Sequence, residues 1–250
     1  MGLWTEADGL GTMVEIIHRN VKRRMDIMPD KPQSNSGIAG LWLGTGASLL
    51  ITALVFHGPP DPDLSVQMQH IAEGHTRWAL VHWTAAVALF LMSGAGFLNL
   101  MHQNTGGHTA GLRSAWLVFA LGALLTVSTA VSEAAVVSAA ANAGDKAAFH
   151  SWWEFGGGMG NGFFALAIAT GLIAFAEARS SSGRTPVWAC AAGSVAGVLS
   201  AVGWSLGEHF GVGIGGPIWL ISTLLMCAWL VWLGFAALRP ARSPTSPQTA

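Results

Sequence analysis

Six long apolar runs constrain the fold of this 250-residue chain more than any other feature. Each run has about 20 residues, which is the length that a helix needs to cross a hydrocarbon core of about 30 Å. The runs are apolar on every face, whereas the strands of a membrane barrel alternate apolar and polar residues over about 10 positions. The sequence therefore predicts six transmembrane helices, at 38–57, 78–101, 114–132, 155–176, 187–207 and 217–238.

The overall composition fits a membrane protein. Charged residues make up 10% of the chain and hydrophobic residues 52%, whereas about a quarter of the residues in a soluble domain are charged. The net charge of −1 gives no field that attracts a polyanion, so we expect no nucleic-acid partner. The expected partner is the lipid bilayer, and the predicted fold class is an all-α integral membrane protein.

Basic residues lie unevenly on the two sides of the predicted spans. Cytoplasmic loops of membrane proteins carry an excess of Lys and Arg. Only two basic residues, Arg77 and Lys146, lie on the side of the predicted spans opposite to the other ten. The distribution predicts a multi-pass protein of the cell membrane with both termini in the cytoplasm. The ten basic residues assigned to the cytoplasmic side are Arg19, Lys22, Arg23, Arg24, Lys31, Arg113, Arg179, Arg184, Arg239 and Arg242.

The residues before the first span have a helical pattern of their own. Apolar side chains recur at helical spacing between Leu10 and Met28, and basic side chains occupy the opposite face. This pattern is typical of an interfacial helix on the cytoplasmic leaflet, and equally of a helix docked on another membrane subunit. We predict a cytoplasmic amphipathic helix and linker at 1–37, a six-helix transmembrane domain at 38–238, and a disordered cytoplasmic tail at 239–250.

Imidazole and carboxyl side chains fall at one depth under this topology. Counting about 1.5 Å per residue along five of the spans brings a His or Glu of each to the exoplasmic end of the bundle. Ionisable groups that face the inside of a membrane bundle usually handle ions, protons or ligands. Imidazole and carboxylate are also ligands for Zn, Cu and Fe. The candidate metal ligands are His82, Glu133, His150, Glu154, Glu208 and His209.

Two kinds of cofactor suit such a cluster. A b-type haem needs two histidines on facing helices, and His82 with His150 or His209 is the expected pairing. A transition metal, Cu, Zn or Fe, fits the mixed His and Glu set better. His82 is the best single ligand because it lies two turns inside its helix, and Glu133 lies within what reads as an uninterrupted apolar helix.

A structural interpretation stands beside the functional one. Polar residues are tolerated at the membrane interface, where Trp78 and Trp152 read as anchors of an aromatic belt. The histidines at the edges of the spans, His57, His70 and His75, are expected to be exposed. On this interpretation the carboxyl groups only hydrogen-bond neighbouring helices.

The segment FHSWWEFGGGMGNGFF contains five glycines in seven residues, at 156–162. It lacks the lysine and the strand of a phosphate-binding loop. Glycines four apart lie on one helix face and allow another backbone to approach closely. We therefore expect the fourth and fifth spans to pack tightly and to bring Glu154 near Glu208 and His209. The glycine pairs with this spacing are Gly156 and Gly160, Gly158 and Gly162, Gly193 and Gly197, and Gly203 and Gly207.

Three function classes follow from these patterns. The first is a membrane oxidoreductase or metal-handling protein with its centre at the exoplasmic surface. The second is a proton or solute transporter, although the middle of the spans offers few polar residues. The third is a non-catalytic accessory or assembly subunit that contacts other membrane subunits through its transmembrane faces and N-terminal helix. No catalytic residue is predicted.

Overall fold

The computed structural model describes residues 33–58, 61, 63–102, 110–180 and 185–238. Within these residues the chain is helical and contains no strand. The predicted amphipathic helix, the linker before residue 33 and the predicted tail at 239–250 lie outside the described residues. The helices are α1 (Gln33–His57), α2 (Leu64–Glu73), α3 (His75–His102), α4 (Ala110–Ser132), α5 (Ser138–Ala143), α6 (Lys146–Arg179), α7 (Val187–Glu208) and α8 (Gly215–Ala236).

Six helical segments in the described ranges are long and apolar enough to cross a membrane. They correspond one to one with the six predicted spans, so the predicted all-helical bundle with six apolar helices is confirmed. The third segment runs from Ala110 to Ala143, because α4 continues through a π-helical turn at Glu133–Val137 into α5.

The third and fourth spans extend further than the apolar runs alone predict. The fourth begins at Lys146 rather than at 155, because the Asp145 side chain accepts a hydrogen bond from the Ala148 amide and caps the helix. Gly144 ends the preceding helix in the left-handed conformation, with φ of 70°, which glycine adopts without strain. A connection of two residues thus joins two spans, and His150 to Glu154 are helical.

The six long helices pack in a ring that follows the order of the chain. Helix α3 packs on α4, α4 on α6, α6 on α7, and α7 on α8. Helix α1 closes the ring between α3 and α8, since a Cβ added at Gly46 would lie 2.7 Å from the Ala88 carbonyl and one added at Gly40 would lie 2.6 Å from the Gly234 carbonyl. Leu43, Met92 and Phe119 are among the side chains in the buried centre.

The glycine row on α6 packs against both α4 and α7, since a Cβ added at Gly160 would lie 2.7 Å from the Trp204 ring of α7. Gly162 lies against Gly122, and Gly156 lies beside Ser132. Helices α6 and α7 do pack together, as predicted, but their closest glycine contact is between Gly171 and Gly197. Gly158, expected to share a packing face with Gly162, has nothing within 4 Å of its would-be Cβ. The predicted packing of the fourth and fifth spans is thus confirmed, and α4 is a second close neighbour of the same helix that the spacing did not indicate.

The short helix α2 lies at the end of the bundle where α1 ends. Asp63 caps its first turn by accepting hydrogen bonds from the amides of Ser65 and Val66. Met68 and Ile71 are buried against α5 and the first turn of α6. This packing holds α2 next to the start of α3, where α2 forms one wall of a cavity at this end of the bundle.

Candidate functional site

Contacts between helix ends bring the polar side chains to one end of the bundle. His57 is the last residue of α1, Trp78 lies in the first turn of α3, and Glu133 follows directly on α4. Glu154 lies near the start of α6, and Glu208 ends α7. We call this end the polar end. The depth count from the sequence thus agrees with the contacts. Residues at the same depth do not all contact one another, however, as their burial shows.

Two histidines from different helices meet at the polar end. The ring centres of His57 and His82 are 5.0 Å apart, with an interplanar angle of 66°. The Trp78 ring lies beside both, 4.8 Å from His57 and 4.5 Å from His82. His82 is only 7% exposed, and His57 is half-buried rather than exposed as the sequence suggested. The pairing of these imidazoles is the central feature of the site.

Backbone hydrogen bonds fix the tautomers of both imidazoles. His82 Nδ1 lies 2.9 Å from the Trp78 carbonyl oxygen, and His57 Nδ1 lies 2.6 Å from the Gly58 carbonyl oxygen. A carbonyl oxygen only accepts, so each Nδ1 carries the proton and each Nε2 carries a lone pair. Neither Nε2 has a hydrogen-bond partner in the described ranges. This is the arrangement in which a metal-binding histidine is held by the protein.

Trp78 connects the histidine pair to a buried carboxyl group. Its indole N–H donates to Glu133 Oε2 over 3.3 Å. Glu133 is 8% exposed, and its Oε1 reaches α6, because a Cβ added at Gly156 would lie 3.3 Å from that oxygen. Nearby, Thr129 Oγ1 donates to the Gly156 carbonyl over 2.9 Å. Trp78, which the sequence suggested as an anchor of the aromatic belt, thus contacts side chains of α1, α3 and the π turn.

Glu133 begins a π-helical turn, which corrects the expectation of an uninterrupted helix. A π turn accommodates one more residue than an α turn, and such turns are rare and are frequent at functional sites. The turn changes the direction of the side chains that follow it. Val137 is then buried among the residues that hold α2, and Ser138 donates to the His75 carbonyl oxygen over 3.1 Å. The π turn thus carries the buried Glu133 carboxyl group, and the residues at its end pack against α2 and the start of α3.

The other predicted ligands lie apart from the histidine pair. His150, Glu154, Glu208 and His209 are exposed. The His150 ring contacts Phe149 edge-on, with centres 5.9 Å apart. His209 Nε2 lies 2.7 Å from Asn161 Oδ1. These side chains therefore lie on the surface of the bundle rather than with His82.

Glu208 and its neighbours form a looser acidic group. A Cβ added at Gly157 would collide with Glu208 Oε1, so this carboxyl group lies directly over α6. Glu208 is close enough to His209 and Glu154 for their charges to interact. The electrostatic effect of Glu154 on Glu208 is consistent with the expected approach of these two side chains. Glu154 and Glu208 are exposed, and the charge of Glu208 also acts on the buried Glu133.

The structure gives no support to a single cluster of six metal ligands. Among the described residues, no group of three or more His, Cys, Asp or Glu side chains is arranged to hold a metal ion. No contact in that part of the chain joins His82 to His150 or His209, the pairings expected for a b-type haem. The neighbour of His82 is His57, which hydropathy placed at the edge of its span.

A cavity of about 570 Å³ opens beside the histidine pair. Helix α2, the end of α1 and the start of α3 form its walls. His57 lines this cavity. His82 does not line it and lies behind His57, in contact with its ring. Access to the paired imidazoles from outside therefore passes through a polar space. The cavity is lined by His57, Gln67, His70, Glu73, Arg77 and Trp78.

Sequence reasoning did not identify two members of this site, His57 and Trp78. Trp78 and His82 are four residues apart, the spacing at which side chains meet on one helix face. The depth count also placed His57 level with His82. These two signals together would have indicated the group. The sequence has no match among known protein families, curated proteins or solved structures.

Proposed function

We propose that this protein is a multi-pass membrane protein that binds a transition-metal ion at the exoplasmic end of its helix bundle, through Nε2 of His57 and of His82. The observation that carries the proposal is the pair of imidazoles 5.0 Å apart with both Nδ1 atoms engaged by backbone carbonyls. Two imidazoles on one tetrahedral ion, with metal–nitrogen bonds of about 2.0–2.1 Å, have ring centres about 5 Å apart.

The proposed sidedness follows from charge. The ten basic residues assigned to one side include those flanking the ends of the spans opposite to the polar end, such as Arg113 and Arg179. Positive residues favour the cytoplasmic side. The polar end, with Arg77 and Lys146, would then face the exoplasmic side of the cell membrane, where the cavity exposes His57 to the medium.

The number of ligands favours an exchangeable ion over a structural one. Structural zinc sites are closed by four protein ligands, whereas sites for exchange or catalysis keep open positions for water or substrate. Two histidines leave such positions, and the adjacent cavity supplies space for them. Imidazole suits Cu and Zn among the common metals. Metal handling or redox chemistry at the outer surface is therefore the proposed activity.

The interior of the bundle offers less support for the transporter alternative. Its buried hydroxyl groups are satisfied locally: Ser93 donates to the Ala120 carbonyl, Thr170 donates to the Leu166 carbonyl, and Ser200 pairs with Thr223 over 2.6 Å. A path for protons or polar solutes needs such groups to face a cavity. These hydroxyls instead join or brace the helices.

Metal titration of the purified full-length protein tests this function. We expect the wild type to bind one equivalent of Cu²⁺ or Zn²⁺ in competition with a chromophoric chelator. His57→Gln and His82→Gln should each weaken binding by at least about tenfold, since loss of a supporting group alone has effects of about 10–100-fold. The matched control is His150→Gln, an exposed histidine at the same end of the bundle, which should bind metal like the wild type.

Two outcomes would contradict the metal site. One is a wild-type protein that binds neither ion, which would leave the role of an accessory subunit as the better account. The other is unchanged stoichiometry and affinity in the double variant His57→Gln/His82→Gln. Circular dichroism of each variant shows whether the helical fold is retained, so that loss of binding is not confused with unfolding.

A further inference from the structure

The cavity beside His57 contains side chains of both charges, none of which the proposed metal site uses. Arg77 and Glu73 line it together with His70 and Trp78. Its volume of about 570 Å³ lies within the range of about 300–1,000 Å³ that is usual for small-molecule sites. A purely anionic ligand would meet the carboxylate of Glu73, and a purely cationic one would meet the guanidinium of Arg77.

We propose that this cavity binds a phosphate ester that carries an ammonium group, of the phosphoethanolamine or phosphocholine type. Arg77 binds the phosphate, and Glu73 with Trp78 binds the ammonium. Such a group occurs both as the headgroup of a zwitterionic phospholipid and as a free phosphorylated amino alcohol. The polar end lies at the level of the lipid headgroups when the six spans cross a bilayer, so either source reaches the cavity.

The setting of Arg77 suits a phosphate. In the described part of the chain its guanidinium makes no ion pair, and it lies next to Gly74, where a Cβ would be 3.8 Å from both Nε and Nη2. The planar guanidinium presents its N–H donors in a fork that matches two phosphate oxygens. The phosphate therefore has a bidentate partner at the rim of the cavity.

Glu73 and Trp78 suit the ammonium group. One carboxylate oxygen of Glu73 accepts a hydrogen bond from Gln69 Nε2 over 2.9 Å, which orients the group. Within the described ranges the other oxygen has no hydrogen-bond partner and can accept one from a ligand. Trp78 lines the same cavity, and an indole face attracts a cation within about 6 Å of its centre. Both charges of the ligand thus find opposite charge or an aromatic face within one cavity.

This inference does not rest on the metal site, although the two share His57 and Trp78 as walls. His82 lines no part of the cavity, so His82→Gln should remove metal binding and leave phosphate-ester binding unchanged. Arg77→Gln should have the opposite effect. Failure of one proposal is therefore distinguishable from failure of the other.

Two binding measurements test the proposal and separate its ligand sources. Detergent-purified full-length protein is titrated calorimetrically with phosphoethanolamine and with phosphocholine, which tests the free ligand. The protein is also reconstituted in nanodiscs that contain equal amounts of phosphatidylethanolamine and phosphatidylglycerol, and the retained lipids are measured by native mass spectrometry. Binding of the free esters, or preferential retention of phosphatidylethanolamine, supports the proposal and identifies the source.

The decisive comparison is between the two basic residues of the polar end. Arg77→Gln should weaken binding by about tenfold or more, as expected when hydrogen bonds to a charged group are lost. Lys146→Gln removes the same charge at the start of α6, away from the cavity, and should bind like the wild type. The proposal would be overturned if Arg77→Gln bound like the wild type. It would also be overturned if neither free ester bound and the two lipids were retained equally.

Discussion

Alanine at Gly162 is expected to destabilise the bundle by about 1–3 kcal/mol, the usual effect of inserting atoms into a packed core. A Cβ there would lie 2.5 Å from the Leu125 Cβ and 2.7 Å from the Gly122 carbonyl oxygen. Because one of these atoms belongs to the backbone, a change of rotamer cannot relieve the overlap. Helices α4 and α6 would have to move apart along their shared face.

Gly158 on the same helix supplies the matched control. Nothing lies within 4 Å of a Cβ added there, and alanine is about 0.8–1.0 kcal/mol more favourable than glycine inside a helix. Gly158→Ala should therefore be neutral or stabilising, opposite in sign to Gly162→Ala. Unfolding of both variants in mixed detergent micelles, followed by circular dichroism, measures the difference. Equal stability of the two variants would show that α4 and α6 do not meet at Gly162.

The six long apolar helices were predictable because one physical requirement dominates for chains of this composition. In hydrocarbon every backbone N–H and C=O must be bonded within its own segment, which leaves a helix of about 20 apolar residues as the simplest solution. Hydropathy did not predict that α6 begins at Lys146. This helix start depends on the turn at Gly144 and on the capping side chain of Asp145. Helix ends depend on individual hydrogen bonds to caps, which hydropathy does not report.

The candidate site was predictable in depth but not in direction. Depth follows from a constant rise per residue, so the level of His82 and Glu133 could be counted. Direction depends on the rotation of each helix about its axis, and helices apolar on all faces carry little periodic signal to set it. Thus His82 and Glu133 are buried, whereas His150 and Glu154 at the same level are exposed. The π turn adds a further rotation that spacing cannot reveal.

Trp78→Ala is expected to have the largest effect on the polar end. The indole contacts both histidine rings and donates to Glu133, so its removal opens a cavity and leaves a buried carboxyl group without that donor. Trp→Ala changes in cores destabilise proteins by about 3–5 kcal/mol, and Trp78, which is half-buried, should fall at the lower end. Metal affinity should fall by about tenfold or more, since the indole positions both imidazoles.

Two further variants separate packing from hydrogen bonding. Trp83→Ala removes a tryptophan that is 47% exposed on the same helix and should change neither stability nor metal affinity appreciably. Trp78→Phe keeps an aromatic ring beside the two histidines but removes the N–H, which should destabilise the protein by about 1–3 kcal/mol because Glu133 loses its donor. Unfolding in mixed micelles and chelator competition measure both effects. If Trp78→Ala behaves like Trp83→Ala, the indole is a membrane anchor rather than the connector of α1, α3 and the π turn.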